Sequence, residues 1–283
     1  MSNLRFGTAG IPLSTPKRTT EGGVARLDEL GLGALEIEFV RGVYLNDTKA
    51  ALVKERAVAH DIALSCHAPY YINLNSPEPE KVAASRARIL AAARAAHFAG
   101  AVSVVFHPAF YQQTPPEEVY KKVRDEIMGI RQEIDEVGYA VILRPETTGK
   151  PSQFGDLAET VRLAQEVPGV LPCVDISHIH ARGNGVCNTY DAFCRVLDTL
   201  SEALGERWNT DAHFHVSGID YGKAGEKKHL IFAESDLNYL ELARAWQTFG
   251  VKGTVICESP NLETDALILA QSFKQLTGDR GKT

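Results

Sequence analysis

A chain of 283 residues with 44% hydrophobic and 23% charged residues can bury a large core, which excludes a disordered or fibrous class. The formal net charge of −6 leaves no bulk basic field, so overall charge does not itself point to nucleic acid, although bound cations would change the local balance. Five cysteines without a C-x-x-C pair, and an N-terminus without an apolar run, predict free thiols in a reducing cytoplasm; no stretch reaches the ~18 apolar residues of a membrane span.

In chain order, short apolar or β-branched runs predict strands at Leu4–Gly7, Ala34–Val40 and Ile62–Cys66. Lys81–Ala99 then reads as a helix, rich in the strong helix formers Ala, Arg and Leu. A strand at Ala101–Phe106 leads to a helix at Pro116–Val137, and a strand at Tyr139–Leu143 to a helix at Phe154–Gln165. The alternation continues with strand Val170–Val174, helix Tyr190–Leu204, strand Ala212–Val216, helix Leu237–Thr248 and strand Gly253–Cys257. Strands alternating with helices from end to end predict parallel βα units. The expected fold is α/β, a single (β/α)₈ TIM barrel covering residues 1–283, a fold whose usual length is ~250 residues. An open doubly wound sheet is the rival, but no G-x-G-x-x-G follows the first strand, which counts against its dinucleotide-binding form and against a nucleotide cofactor. The polar ends, residues 1–3 and 279–283, are expected to fray.

The reactive residues cluster by position. Strand three ends at Cys66-His67, strand four at Phe106-His107 and strand five at Arg144-Pro145-Glu146. Strand six ends at Val174-Asp175 with His178 three residues on; strand seven carries His213 and His215; strand eight ends at Cys257-Glu258. In a (β/α)₈ barrel these ends converge on the face where active sites sit. Six consecutive strands thus deliver imidazoles and carboxylates, the ligands that suit Zn²⁺, Mn²⁺ or Fe²⁺, and they are too many for one tetrahedral ion. A single histidine at a strand end is more often a hydrogen-bonded structural residue; the coincidence over six strands is what favours a metal site. His60 and His97 fall in helical stretches and read as structural, and His180 is expected to point elsewhere. His213 and His215 share a face of a regular strand, and His215, nearer its C-terminal end, is the favoured ligand.

These residues resemble the endonuclease IV family of apurinic/apyrimidinic endonucleases. His67-Ala68-Pro69-Tyr70-Tyr71-Ile72-Asn73-Leu74 is similar to that family's His-x-x-Tyr-x-Ile-Asn-Leu segment, and His107-Pro108, Glu146-Thr147-Thr148, Asp175-Ile176-Ser177-His178 and Cys257-Glu258-Ser259-Pro260 match its later motifs. Each motif is short; the ordered set, running from Ile62 to Ala266, is specific. The resemblance implies two or three bound Zn²⁺ ions, with Mn²⁺ or Fe²⁺ as alternatives. It implies Glu146 as the bridging, catalytic carboxylate, and His67, His107, Asp175, His178, His215, His229 and Glu258 as the other ligands. It implies damaged double-stranded DNA as partner, with Tyr70, Tyr71 and Arg41 entering the minor groove beside an abasic site, incision on the 5′ side of that site, and a monomer. Lys150, Lys223, Lys227 and Lys228 are candidate phosphate contacts.

One departure bears on the third ion. The family carries Asp-x-His in the loop after strand seven, where this chain has Glu226-Lys227-Lys228-His229. Lys227 as a cation cannot bind a metal, so Glu226 must serve by a one-residue shift or the third ion loses a ligand. Val216-Ser217-Gly218 also replaces an Asn-Asp pair of the family. A rival reading is a sugar isomerase or epimerase with one divalent ion on Glu146, Asp175 or His178, His215 and Glu258, with the two glutamates as proton-transfer bases. A non-catalytic barrel that kept the architecture is a third.

Overall fold

In the computed structural model, residues 4–279 are described. Of the ends expected to fray, residues 1–3 and 280–283 lie outside the described residues, and Asp279 closes the last helix. Eight parallel strands form one sheet: β1 (Leu4–Ala9), β2 (Ala34–Glu38), β3 (Ala63–His67), β4 (Ser103–Phe106), β5 (Ile142–Pro145), β6 (Val174–Asp175), β7 (Ala212–Val216) and β8 (Gly253–Cys257). Their order is β5-β4-β3-β2-β1-β8-β7-β6, and parallel bridges Leu143–Val170 and Glu146–Cys173 join the two ends. The sheet therefore closes on itself, an α/β (β/α)₈ fold with helices between the strands.

Local chemistry sets the helix ends. The helix Thr20–Leu30 (α1) starts where the Thr19 side chain accepts from the Gly22 N–H, and stops at Gly31 with φ 72°. Asp47–Ala59 (α2) is capped by Asn46, and Pro79–Ala99 (α3) opens with proline in its first turn. Pro116–Glu136 (α4), Leu157–Glu166 (α5), Ile176–Arg182 (α6), Tyr190–Leu204 (α7), the short Glu206–Asn209 (α8), Tyr239–Phe249 (α9) and Glu263–Asp279 (α10) complete the outer layer.

Most expected boundaries shift by no more than two residues, and three starts move further, each for a local reason. The fifth strand starts at Ile142 rather than Tyr139, because the Tyr139 N–H closes the end of α4 on the Ile134 carbonyl. It runs through Pro145, whose carbonyl still accepts from Cys173. The sixth strand reduces to Val174–Asp175, with Val170 and Cys173 in isolated bridges, because Pro172 between them has no N–H for the ladder. Helix α5 starts at Leu157, not Phe154, because Asp156 and Glu159 form a reciprocal capping box; Gln153–Phe154 instead pairs antiparallel with Ala109–Phe110. Residues 225–229, expected as loop, form one strand of an antiparallel ribbon, Gly218–Gly222 with Gly225–Leu230.

Polar groups fill both ends of the barrel interior. At the N-terminal end the fully buried Arg144 donates to Ser103 Oγ (2.6 Å) and to the carbonyls of Pro172 and Asp211 (3.2 and 2.9 Å), and lies 3.0 Å from the Asp211 carboxylate. The other end carries the candidate site. No helix among the described residues is long and apolar enough to cross a membrane.

Candidate functional site

Strand register brings the reactive residues to one level. Glu38 lies beside His67 across β2 and β3, and Asp175 beside His215 across β6 and β7. His107, Glu146 and Glu258 each follow the last residue of their strand. Among the described residues, potential ligand atoms fall into five groups, each with all its atoms within 4.8 Å of one another; His67–His107–Glu146, Glu146–Asp175–His215–Glu258 and His178–Glu226–His229 adjoin around Glu146, and Cys173–His213–His215 and Glu36–Glu38–Glu258 are the other two.

Glu146 sits at the centre, fully buried. Its Oε2 is 3.1 Å from His67 Nε2 and 2.9 Å from His107 Nε2; its Oε1 is 3.2 Å from His178 Nδ1 and 3.4 Å from His215 Nδ1. Most of the other groups are aimed by bonds on their far side. His67 Nδ1 is 2.8 Å from the Ala68 carbonyl, His178 Nδ1 is 2.9 Å from the Thr147 carbonyl and His229 Nδ1 is 3.2 Å from the Glu258 carbonyl, so in each ring Nδ1–H donates and Nε2 is the nitrogen that faces the site, protonated or free for a cation. Asp175 caps α6 by accepting from the His178 N–H through Oδ1 (2.6 Å), which leaves Oδ2 for the site.

Buried polar groups normally find partners, yet Glu146 Oε1, Asp175 Oδ2 and His215 Nδ1 are buried without a hydrogen bond and point into one space. Burial alone would raise the Glu146 carboxyl, but imidazolium charge, His107 and His215 first, holds it well below the usual range. Burial works against charge on His67, but the hydrogen bond to Glu146 and the charges of Glu38 and Glu146 push it up to about 10. His178 is raised likewise, by Asp175 and Glu146 against burial, and His215 is raised by Cys173 and Glu36 against burial. Without a cation, protons neutralise this nest. The donor set, the orphaned atoms and the outward-braced rings fit divalent cations, which would displace those protons.

The third group depends on an irregularity. In the ribbon, Asp220 pairs with Lys228 and Tyr221 pairs with Glu226, so Lys227 is an extra residue bulged out between them. In a regular strand Glu226 and His229, three apart, would face opposite sides. The bulge restores their common face. His178 Nε2 is 3.5 Å from Glu226 Oε2, and His229 Nε2 is 3.9 Å from Glu226 Oε1. Lys227 turns outward, with Nζ 3.2 Å from Asp220 Oδ1.

Other histidines take structural positions. His180 Nε2 is 3.1 Å from Asp236 Oδ1, and Asp236 Oδ2 accepts from the Tyr221 hydroxyl (2.6 Å). His97 stacks on Tyr139 inside α3's packing, and His60, one residue past α2, meets Asp28 at 2.7 Å. His213 lies a layer below His215 and faces Glu36 rather than the ligand space.

Two residues escaped the sequence reading, Glu36 and Glu38. Glu36 is fully buried; its Oε2 accepts from Ser65 Oγ (2.6 Å) and lies 2.9 Å from His213 Nε2, while Oε1 lies 2.8 Å from His215 Nε2. Burial would raise its carboxyl, but His215 and His213 hold it well below the usual range. Glu38 shares a carboxylate cluster with Glu36 and Glu258, and burial pushes it up to about 8. The signal was present: Leu35-Glu36-Ile37-Glu38 alternates, which in a barrel puts both glutamates inside.

On the rim, Tyr70 and Tyr71 are 58% and 65% exposed, and the Tyr70 ring lies 6.1 Å from the His67 ring. Arg41 is exposed in the turn after β2, which the Tyr70 N–H joins through the Val40 carbonyl (3.2 Å). Lys223, Lys227 and Lys228 are exposed, and Lys150 is half-buried.

Residues 24–276 match a family model described as the xylose isomerase-like TIM barrel, and the chain belongs to that family. It is 44% identical over 273 residues to an uncharacterized protein of Methanocaldococcus jannaschii, covering 96% of this chain and 98% of that protein. It is 24% identical over 154 residues to the protein named Probable endonuclease 4 of Chlorobium luteolum, spanning 53% of this chain and about half, 54%, of that relative. Among solved structures, endonuclease IV from Thermus thermophilus superposes with a TM-score of 0.72 at 20% identity, covering 96% of this chain and 99% of that one. A D-tagatose 3-epimerase-like protein superposes with a TM-score of 0.69 at 18% identity, covering 95% and 96%. Both show the fold.

Proposed function

We propose that this protein is a metal-dependent DNA repair hydrolase of the endonuclease IV type, cutting the phosphodiester on the 5′ side of abasic sites. One observation carries the reading: of the five ligand groups among the described residues, three adjoin at Glu146, two by sharing it and the third through His178, where a single-ion sugar enzyme needs only one. Zn²⁺ is the preferred ion, with Mn²⁺ or Fe²⁺ as alternatives. His67, His107 and Glu146 would hold one ion, Glu146, Asp175, His215 and Glu258 a second, and His178, Glu226 and His229 a third. Such a cluster, when bound, polarises a phosphodiester and activates water for in-line displacement.

The residues divide the remaining work. Glu146 bridges two ligand groups and keeps the attacking water and the phosphorus in line between them. Backbone carbonyls fix the rings of His67, His178 and His229, so the site is set before substrate arrives. Tyr70, Tyr71 and Arg41 stand at the mouth, suited to wedge into a duplex and expose an abasic nucleotide. Lys150 and Lys223 lie in turns, and Lys227 and Lys228 on the ribbon strand, that backbone phosphates would cross. We take the chain to act as one domain and a monomer in the cytoplasm, its five cysteines free.

The rival is a single-ion sugar epimerase, favoured by the likeness to the D-tagatose 3-epimerase-like fold and by the sufficiency of Glu146, Asp175, His215 and Glu258 for one ion. Purified protein with and without a chelator, given an abasic-site duplex and D-tagatose in parallel, separates the two. Chelator-sensitive incision with two or three ions per chain by elemental analysis is expected. Sugar conversion with one ion per chain and intact DNA would overturn the proposal.

A further inference from the structure

Only four Phe, Tyr or Trp rings among the described residues are well exposed, Tyr44, Tyr70, Tyr71 and Phe110, and the last three line one groove of about 970 Å³. The groove runs along α3, whose Glu80, Lys81 and Arg88 line it, and it comes nearest the ligand cluster at Tyr70, whose ring lies 6.1 Å from the His67 ring. Phe110 lies three residues beyond His107, and Tyr70 lies beside His67.

Its walls are braced. Asn73 Oδ1 accepts from the N–H of Asn75 (3.1 Å) and of Phe110 (3.3 Å), and Asn75 Nδ2 donates to the Phe110 carbonyl (2.9 Å). Arg88 Nη1 donates to the Tyr71 carbonyl (2.9 Å), which anchors its guanidinium on the groove wall. Beyond Phe110 the backbone passes through the left-handed region at Gln112 (φ 50°) and Gln113 (φ 67°), and Gln112 lines the groove. Such strain in non-glycine residues clusters at ligand clamps. Preorganised rings with amide and guanidinium groups at their edges suit a flat heteroaromatic ligand.

We propose that this groove is a binding site for an unstacked nucleobase next to the scissile phosphate, with Tyr71 and Phe110 meeting its faces and Arg88 and Gln112 its edge. The assignment rests on the nuclease reading above and extends it to a substrate nucleotide beyond the lesion.

A coupling experiment on the metal-loaded full chain tests it. Abasic duplexes are made in which one flanking base at a time is deleted, and kcat/KM for incision is measured for the parent, Phe110→Ala and Phe110→Tyr. At one flanking position, base deletion should cost the parent about tenfold and Phe110→Ala less than about twofold, because ring and base are lost from the same contact. Phe110→Tyr should behave as the parent. If Phe110→Ala incises normally, or loses activity equally on every duplex, the groove is no base site while the nuclease reading stands. If no variant incises any duplex and the parent converts D-tagatose instead, both fall.

Discussion

The two ligand groups that share Glu146 and the group His178–Glu226–His229 stand on different foundations. The first two rest on barrel strands, where hydrogen-bonded neighbours fix each residue from both sides. The third rests on the short helix α6 and a two-stranded ribbon outside the barrel, and it works only because Lys227 is bulged out of register. A closed sheet fixes side-chain direction by parity, whereas a ribbon can gain or lose a residue and re-aim one ligand. The comparison predicts that the barrel-borne groups resist perturbation as a unit and that the third can be removed alone.

The largest effect is expected where the first two groups meet. Glu146→Gln keeps the volume and removes the charge that both share, so incision should fall by about 10³-fold or more. The unfolding temperature of the metal-free protein should change little compared with that loss. Retention of the parent rate in steady-state incision would show that the shared carboxylate is not the hub of the reaction.

Deleting Lys227 tests the ribbon. Without the extra residue, Glu226 and His229 are two apart and share a face, and the pairs Glu226–Tyr221 and His229–Ile219 are kept in a now regular ladder. The third group should therefore survive the deletion, whereas replacing Glu226 takes a ligand out of it. Glu226→Ala should lose one ion per chain with the other ions kept, read by elemental analysis, whereas the Lys227 deletion should keep them all. Loss of all ions together from either variant would mean that the groups are not separable.

How far the sequence was readable follows the same division. Strand ends in a barrel share one destination, so His67, His107, Glu146, Asp175, His215 and Glu258 could be placed together before any coordinates. The ribbon offered no such rule: its residues are polar and glycine-rich, and a bulge leaves no mark in residue types. Glu36 and Glu38 were missed for another reason. Glu36 lies one layer below the strand end, and Glu38, level with His67, ends β2 two residues before the expected terminus at Val40, so attention to expected termini passed over both. Boundaries at Tyr139, Phe154 and Val170 moved because a helix closure, a capping box and a proline outweighed apolar patterning.

Glu36 gives a smaller and more diagnostic effect. Its Oε1 lies 2.8 Å from His215 Nε2, on the side of the ring away from the ligand space, so it sets which nitrogen of His215 carries the proton. Glu36→Gln should weaken the ion shared by Glu146, Asp175, His215 and Glu258 by about 10- to 100-fold, the usual cost of an outer hydrogen-bond partner. The His178–Glu226–His229 group should be unaffected. Competition with a chelator of known affinity would read this, and equal weakening of every ion would argue for a general loss of structure.

The smallest expected effect is a slope with pH, and it too separates the two foundations. In the metal-free protein His67 is pushed up to about 10, and His178 and His215 are also raised. A base whose folded pKa is raised contributes stability that is full below its unfolded value of about 6.5 and is lost as pH rises through the folded value. Glu258, a carboxyl raised by burial, acts in the same direction. The metal-free unfolding temperature should therefore fall by several degrees from about pH 7 toward about pH 10. Metal binding over the same range should tighten, because fewer protons remain to be displaced. Two of the three raised imidazoles, His67 and His215, stand on barrel strands, so the slope should survive Glu226→Ala and shrink in Glu146→Gln, which removes the leading cause that raises His67 and a lesser one for His215. A metal-free melting temperature independent of pH over that range would show that the imidazoles are not holding the protons assigned to them.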